Sequence, residues 1–525
     1  MKRRELAPAL LGLLAGCGAV SSLPGDAPAA PSPSPSQSPS SPAAPAPVAP
    51  VAPADDTPPA PPREFRGAWV ATVGNIDWPS KPGLSAATLR AEAVAQLERA
   101  RTLGLNAIVL QVRPSGDAIY PSTLEPWAEY LSGEQGKPPW LTGEAAWDPL
   151  AFWLQEAHRR GLELHAWLNP YRARHSLAKS ALVAPHIGVR QPAAVKRYGD
   201  QLWMDPSEPA AAAQTLAVVA DLLKRYDVDG VHIDDYFYPY PVQTAAGADV
   251  PFPDDEAFAR YTLGGGTLAR DDWRRGHVDA LVQSMFRTVR EGRPAARFGI
   301  SPFGIGKPDR RPAGITGFSQ YDKLYADAER WLENGWLDYW APQLYWPINR
   351  EGQQFSVLLD YWLAGNPQQR HIWPGLYTSQ VKAASNPWPA REFVDEIELL
   401  RSRPAAGGHI HFSMAALMPD IQGLAGLLQQ GPYAQPALVP ATPWLQAPPV
   451  GKPTLRVAAG RVHWLPAVGE AARRWAVWRH VGGAWRFAAL PPAERQVDAA
   501  GAETVAVAAV DRLGRLSESA IIRLK

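Results

Sequence analysis

The residues best placed to do chemistry in this 525-residue chain lie in the segment DGVHIDDY, 229–236. Val231 and Ile233 alternate with His232 and Asp234, the two-residue period of a strand. If the β-branched pair faces outward, His232 and Asp234 point to the opposite side. Asp235 then leans away, unless the strand ends there and turns. Glycosidic-bond hydrolysis needs a carboxylate by the anomeric carbon and a second acid to protonate the leaving oxygen. Asp234 is the first of these. The second stays open: Asp117 leads, followed by Asp235, Asp77 and Glu125, each of which could equally brace a loop or cap a helix. Arg66, Trp69, Arg113, Asn169, Tyr171, His232, Tyr236, Gln343, Tyr345 and Trp346 are expected to form a polar and aromatic rim for substrate. Gln343 has no acidic proton and is confined to binding.

Other chemistries find little footing. His409 and His411 share a face, with His165 and His232 elsewhere, but no HxH at the end of the first strand accompanies them. Buried structural histidines are the expectation, with no metal and no cofactor. There is no GxSxG elbow, Walker loop or dinucleotide fingerprint after a strand. The chain carries 52 basic and 51 acidic side chains, so nothing points to nucleic acid.

Eight apolar runs must position these groups: 64–74, 106–114, 163–172, 229–239, 297–304, 338–346, 371–380 and 408–417. Each is short, bounded by turn signals and followed by a helical pattern, as for parallel strands covered on both faces. Eight such units read as an α/β fold, a (β/α)₈ TIM barrel over 63–431, with catalytic groups at the C-terminal strand ends. Long connections at Pro114–Asp148 and Tyr236–Asp271, with a shorter one after the third strand, are expected to wall a groove there. Of the 21 tryptophans, many lie at or beyond strand ends, and half are expected in the core.

Residues 1–17, MKRRELAPALLGLLAGC, read as an export signal: basic residues, a short apolar stretch, then Leu14-Ala15-Gly16-Cys17, which resembles a bacterial lipobox. Cys17 is the only cysteine and is the expected lipidation site, with Gly18 favouring the outer membrane, facing the periplasm. Residues 18–62, rich in Pro, Ala and Ser, read as a disordered spacer between a membrane anchor and the barrel. A Pro-rich joint at 432–449 leads into 450–525, where closely spaced short strands suggest a small all-β sandwich, and VAVAAVDRLGRLSESA resembles the end of a fibronectin type III domain.

From about Glu64 to Asp420 the chain also resembles the glycosyl hydrolase-like 10 family of bacterial lipoproteins. The matching blocks are FRGAWVATVGNIDWPS, LGLNAIVLQVRPSGDAIYPS, GLELHAWLNPYR, YDVDGVHIDDYFYPYP, FGISPFGI, YDKLYADAERWL, WLDYWAPQLYW and IWPGLY. The resemblance implies a barrel of hydrolase ancestry in the cell envelope, in a family with a divisome-localised member acting on peptidoglycan. It carries over Asp234, Asp235, Asn169, Arg113, Gln343 and Tyr345 as motif positions without naming the proton donor. The combined expectation is an anchored glycoside hydrolase acting on peptidoglycan glycan strands, with strands already stripped of peptide as its narrower form. A glycan-binding scaffold and a hydrolase of an amino-sugar exopolysaccharide are the alternatives.

Overall fold

The computed structural model describes residues 57–524. The expected export signal, Cys17 and the spacer up to Asp56 lie outside the described residues. Among the described residues, no helix is long and apolar enough to cross a membrane.

Eight parallel strands alternate with helices: β1 (Phe65–Val70), β2 (Ala107–Arg113), β3 (Glu163–Leu168), β4 (Gly230–Ile233), β5 (Arg297–Ile300), β6 (Tyr339–Trp340), β7 in two pieces (His371–Ile372 and Gly375–Leu376) and β8 (Gly408–His411). Each pairs with the next, and β8 pairs with β1. The first piece of β7 pairs with β6 and the second with β8. Trp373 and Gly375 donate backbone hydrogen bonds to Trp340 and Pro342 across the break, so the ring closes as a TIM barrel. Every strand falls inside one of the eight apolar runs. Each run outlasts its strand because its polar and aromatic tail belongs to the loop above.

The barrel interior is aromatic and polar rather than aliphatic. Phe65 stacks on Trp373 at 3.9 Å, and Tyr339 stacks on Trp373 at 4.8 Å. The Tyr339 hydroxyl sits between His165 Nδ1 at 2.9 Å and His232 Nδ1 at 3.0 Å. Gly299 makes this crossing possible, since a Cβ there would lie 1.9 Å from the Tyr339 ring. Tryptophan is mostly core. Of those at strand ends or in the connections beyond them, Trp69, Trp78, Trp167, Trp340 and Trp373 are buried, whereas Trp127, Trp140 and Trp346 are half-exposed.

Two further features differ from the sequence reading. The connection after β3 runs from Asn169 to Glu208 and is longer than Pro114–Asp148. It holds its own antiparallel sheet of Arg172–Arg174, Val195–Tyr198 and Gln201–Met204. The Pro-rich joint is a barrel floor, with Leu438 exchanging backbone hydrogen bonds with Pro62 and Glu64 and Thr442 accepting from Arg297 Nε at 2.8 Å.

Beyond it stand seven antiparallel strands: β9 (Thr454–Ala458), β10 (Arg461–Leu465), β11 (Arg474–Val481), β12 (Ala484–Leu490), β13 (Gln496–Asp498), β14 (Ala502–Val510) and β15 (Ala520–Arg523). They form sheets β9-β10-β13 and β12-β11-β14-β15 around Val462, Trp464, Trp475, Val477, Val505 and Val507. This all-β domain is tied to the barrel floor by Arg473 and Arg512, both on Asp227, at 2.5 and 2.6 Å.

Candidate active site

The β4 ladder stops at Ile233, so the two aspartates beyond it are free of strand alternation. Asp235 does not lean away. Its carboxyl acts on that of Asp234, and the two are almost fully buried, at 3% and 4% exposure.

Asp234 is held by a relay across four strand ends. Gln111 Oε1, on β2, accepts from the Thr72 and Val73 N–H groups, both at 2.9 Å. Its Nε2 must then donate, and does so to Asn169 Oδ1 at 2.6 Å. Asn169 Nδ2 in turn donates to Asp234 Oδ2, which also accepts from Trp167 Nε1 at 3.1 Å. The backbone amides of Thr72 and Val73 thus fix every amide orientation down the line. Asp234 Oδ2 can only accept, leaving Oδ1, buried and without a protein partner, as the atom for a proton or a substrate. Burial pushes the Asp234 carboxyl up to about 7, against the nearby Arg172 guanidinium and with help from Asp235. It is poised to hold a proton near neutrality, as a general acid must.

Asp235 is also raised by burial, but is opposed by two hydrogen bonds that favour its anion, from the Tyr240 hydroxyl and the Gln343 amide. The second amide hydrogen of Gln343 goes to the Ser301 carbonyl at 3.0 Å. Arg172, which lies above Tyr236 with its guanidinium 4.2 Å from the ring centre, completes the charge pattern. It is buried and, among the described residues, makes no ion pair within 4.0 Å and leaves Nε without a partner.

Half-buried aromatic rings flank the carboxylates. Tyr236 meets Tyr240 at 5.6 Å, Tyr240 meets Phe318 at 5.1 Å, Phe318 meets Phe303 at 5.1 Å, and Phe303 meets Trp346 at 5.6 Å. On the other side Tyr345 stacks on Tyr377 at 4.8 Å and touches Phe412 at 5.7 Å. Gly375 lets the strand ends close here, because a Cβ would sit 3.0 Å from Trp69 and 3.1 Å from Tyr345. The arc is built of tyrosine and phenylalanine with one tryptophan, and such rings suit the apolar faces of sugars.

Of the expected rim, Tyr236, Gln343, Tyr345 and Trp346 thus stand around the carboxylates, and Asn169 turns down to hold Asp234. The others go elsewhere. Arg66 faces outward low on β1, paired with Glu64 at 2.6 Å and lying over Tyr433, because Phe65 and Trp69 take the inward positions. His232 is fully buried, accepts from Trp69 Nε1 at 3.2 Å, and is kept neutral by burial and by His165. It and Trp69 form the floor beneath the site. Tyr171 is buried away from it, beside Asp205. Arg113 grips Glu125 and donates to the Asn169 and Pro170 carbonyls, bracing the loop after β3.

Asp117, expected as the second acid, binds the Ser115 N–H at 3.0 Å and the Gln135 amide at 3.3 Å in a small pocket with Glu129 and Tyr130. Burial pushes it up to about 7, but its hydrogen bonds stay within its own loop. Asp77 is tied to Ser413 Oγ at 2.6 Å and to the Ala71 and Ala415 N–H groups. His409 and His411 both direct Nε2 at the Tyr433 hydroxyl, and no cluster suited to a metal occurs among the described residues. The sequence places Arg172 in a loop expected to wall the groove but assigns no role to it, to Gln111 or to Tyr240. The inward parity of Gln111 with Arg113 on β2 was a usable signal. Nothing local marks Arg172 or Tyr240.

The model of the glycosyl hydrolase-like 10 family matches residues 64–390. The chain is 39% identical over 405 residues to the glycosyl hydrolase YngK of Bacillus subtilis (strain 168), covering 75% of this chain and 76% of that protein. It is 34% identical over 392 residues to the glycosyl hydrolase DigH of Escherichia coli (strain K12), covering 69% and 86%. Among solved structures, the PgaB (BpsB) glycoside hydrolase domain from Bordetella bronchiseptica is similar with a TM-score of 0.44 at 15% identity, over 70% of this chain and 99% of that one. The catalytic domain of a Paenibacillus polymyxa β-amylase scores 0.46 at 10% identity, over 71% and 98%. The chain belongs to the glycosyl hydrolase-like 10 family.

Proposed function

We propose that this family member is a glycoside hydrolase of the cell envelope that cleaves peptidoglycan glycan strands, favouring strands already free of peptide. The observation that carries the reading is the buried Asp234–Asp235 pair, with one Asp234 oxygen pinned as acceptor and the other left open. Asp234 holds a proton close to neutral pH and delivers it to the glycosidic oxygen from Oδ1. Loss of that proton turns Asp234 into a base that activates water for the return step. The Asn169–Gln111 relay keeps Oδ2 from rotating into the reacting position. Arg172 opposes the rise of both carboxyls.

The aromatic arc supports a sugar chain as ligand. The export signal, the Leu14–Cys17 lipobox-like tetrad and the Pro-rich spacer support an outer-membrane anchor with the barrel reaching the wall from the periplasm. The strand order β9-β10-β13 and β12-β11-β14-β15 supports a fibronectin type III-like accessory domain.

The test is incubation of the full chain with peptide-free glycan strands, measuring new reducing ends and product masses over pH 4–9. Release of short muramyl oligosaccharides by wild type but not by Asp234→Asn is the expected result. Cleavage of a partly deacetylated amino-sugar exopolysaccharide instead would transfer the reading to that polymer. Tight glycan binding without cleavage at any pH would make the chain a scaffold.

A further inference from the structure

We infer that the bond this site cuts follows an N-acetylated amino sugar, whose own 2-acetamido oxygen is the nucleophile, with Asp234 as proton donor and Asp235 as partner of the acetamido N–H. The inference rests on the hydrolase reading and narrows it to one substrate class.

The geometry leads there by elimination. Ordinary retention needs a carboxylate nucleophile about 5–5.5 Å from the acid, and inversion needs a base about 6.5–9.5 Å away across the ring. Asp234 and Asp235 follow each other beyond the end of one short strand, Asp235 lies near enough to raise Asp234, and Arg172 acts on both carboxyls, so the pair meets a sugar from one side. The other buried acidic groups of the loops after β1, β2 and β3 are engaged, and beyond β4 and β5 Asp254 is held by Arg274 and Glu329 by Tyr361. Asp77 is held by Ser413, Asp117 by Ser115 and Gln135, Glu125 by Arg113, Glu129 by Lys179 and Ser180, and Asp205 by Ser207. The nucleophile therefore comes from the substrate. A same-side pair is what that requires: one group to protonate the leaving oxygen, the other to orient the amide. Asp234 Oδ1 is open for the first task, and Asp235, which already accepts from the Tyr240 hydroxyl and the Gln343 amide, is placed beside it for the second.

The step balances without any co-reactant. The acetamido oxygen forms a bond to C1 as the C1–O glycosidic bond breaks. The Asp234 proton goes to the departing oxygen, and the amide proton goes to Asp235, leaving a neutral oxazoline. Water then adds to C1, giving its proton to Asp234. The ring opens, the nitrogen recovers its proton from Asp235, and the anomeric configuration is retained.

The experiment compares N-acetylated glycan strands with the same strands chemically N-deacetylated, reads the product anomer by proton NMR, and measures binding of N-acetylglucosamine-thiazoline by calorimetry. Expected are retention, at least about a 100-fold slower cleavage of deacetylated strands, and thiazoline binding weakened about 10-fold or more by Asp235→Asn, since a lost charge-assisted hydrogen bond is worth that much. Comparable cleavage of both strand types, or inversion, overturns the inference while leaving the hydrolase reading intact. Thiazoline binding that depends on Asp235, without cleavage of either polymer, upholds the inference and sinks the choice of polymer. Absence of both overturns both. The wild-type arms need no variant, so misfolding of Asp235→Asn would not blunt them.

Discussion

Replacing Asp234 by asparagine should abolish turnover and yet make the protein more stable above neutral pH. The folded carboxyl titrates at about 7 because burial disfavours its anion, whereas an unfolded aspartate titrates near 3.9. A raised acid contributes stability that is fully present below the unfolded value and is lost as pH climbs through the folded one. About three units at roughly 1.36 kcal/mol each put the wild-type loss between pH 4 and pH 8 at up to about 4 kcal/mol. Asn cannot ionise and escapes that loss, although its amide at the unpartnered Oδ1 position costs about 1–3 kcal/mol. The variant should therefore match or trail wild type at pH 4 and lead it by about 1–3 kcal/mol at pH 8. Thermal unfolding midpoints across this range read the effect as a rise of a few degrees for the variant at pH 8. Raised groups such as Asp77 and Asp117 are common to both proteins and cancel. A stability difference that does not change with pH, or a variant less stable than wild type at pH 8, would refute the assignment of Asp234 as a carboxyl held protonated by burial.

Arg172→Gln removes the nearest opposing charge and should move the alkaline limb of kcat/KM upward by about one unit. A contact pair at 4 Å is worth about 4 kcal/mol at an effective dielectric of 20, and Arg172 stands farther off than that. An unmoved limb in the pH–rate profile would show that Arg172 does not face the pair. Arg113→Met strands Glu125 in the interior and frees the Asn169 and Pro170 carbonyls. A loss of about 3–5 kcal/mol is expected by chemical denaturation, together with a fall in activity through Asn169. Glu396 is fully buried with neither carboxyl oxygen partnered, and burial holds it well above the usual carboxylate range. By the same sign, Glu396→Gln should match or trail wild type below about pH 4, where its amide lacks a partner, and gain on wild type as pH rises to 8, as pH-dependent melting will show.

The sequence alone determined the barrel and the end of it that matters. Strands covered on both faces need unbroken apolar runs, and eight of these separated by helical patterns leave few alternatives. The DGVHIDDY segment was legible for the same reason, since two aspartates directly beyond Ile233 conflict with burial unless they serve a site. What the chain did not show locally was decided by tertiary structure. Asp235 belongs with Asp234 because the β4 ladder stops at Ile233, and ladder length depends on neighbouring strands. Arg66 faces outward because Phe65 and Trp69 fill the interior. Tryptophan went mostly into the core and left the rim largely to tyrosine and phenylalanine, with Gly375 opening the space where Trp69 and Tyr345 meet. Asp117 carries the right chemistry, but its loop turns it onto Gln135. Arg172 and Tyr240 carry no local mark, and each reaches the carboxylate pair only because a connecting loop folds back over β4. Strand periodicity is a property of neighbours in sequence. The company a carboxylate keeps is a property of the closed barrel.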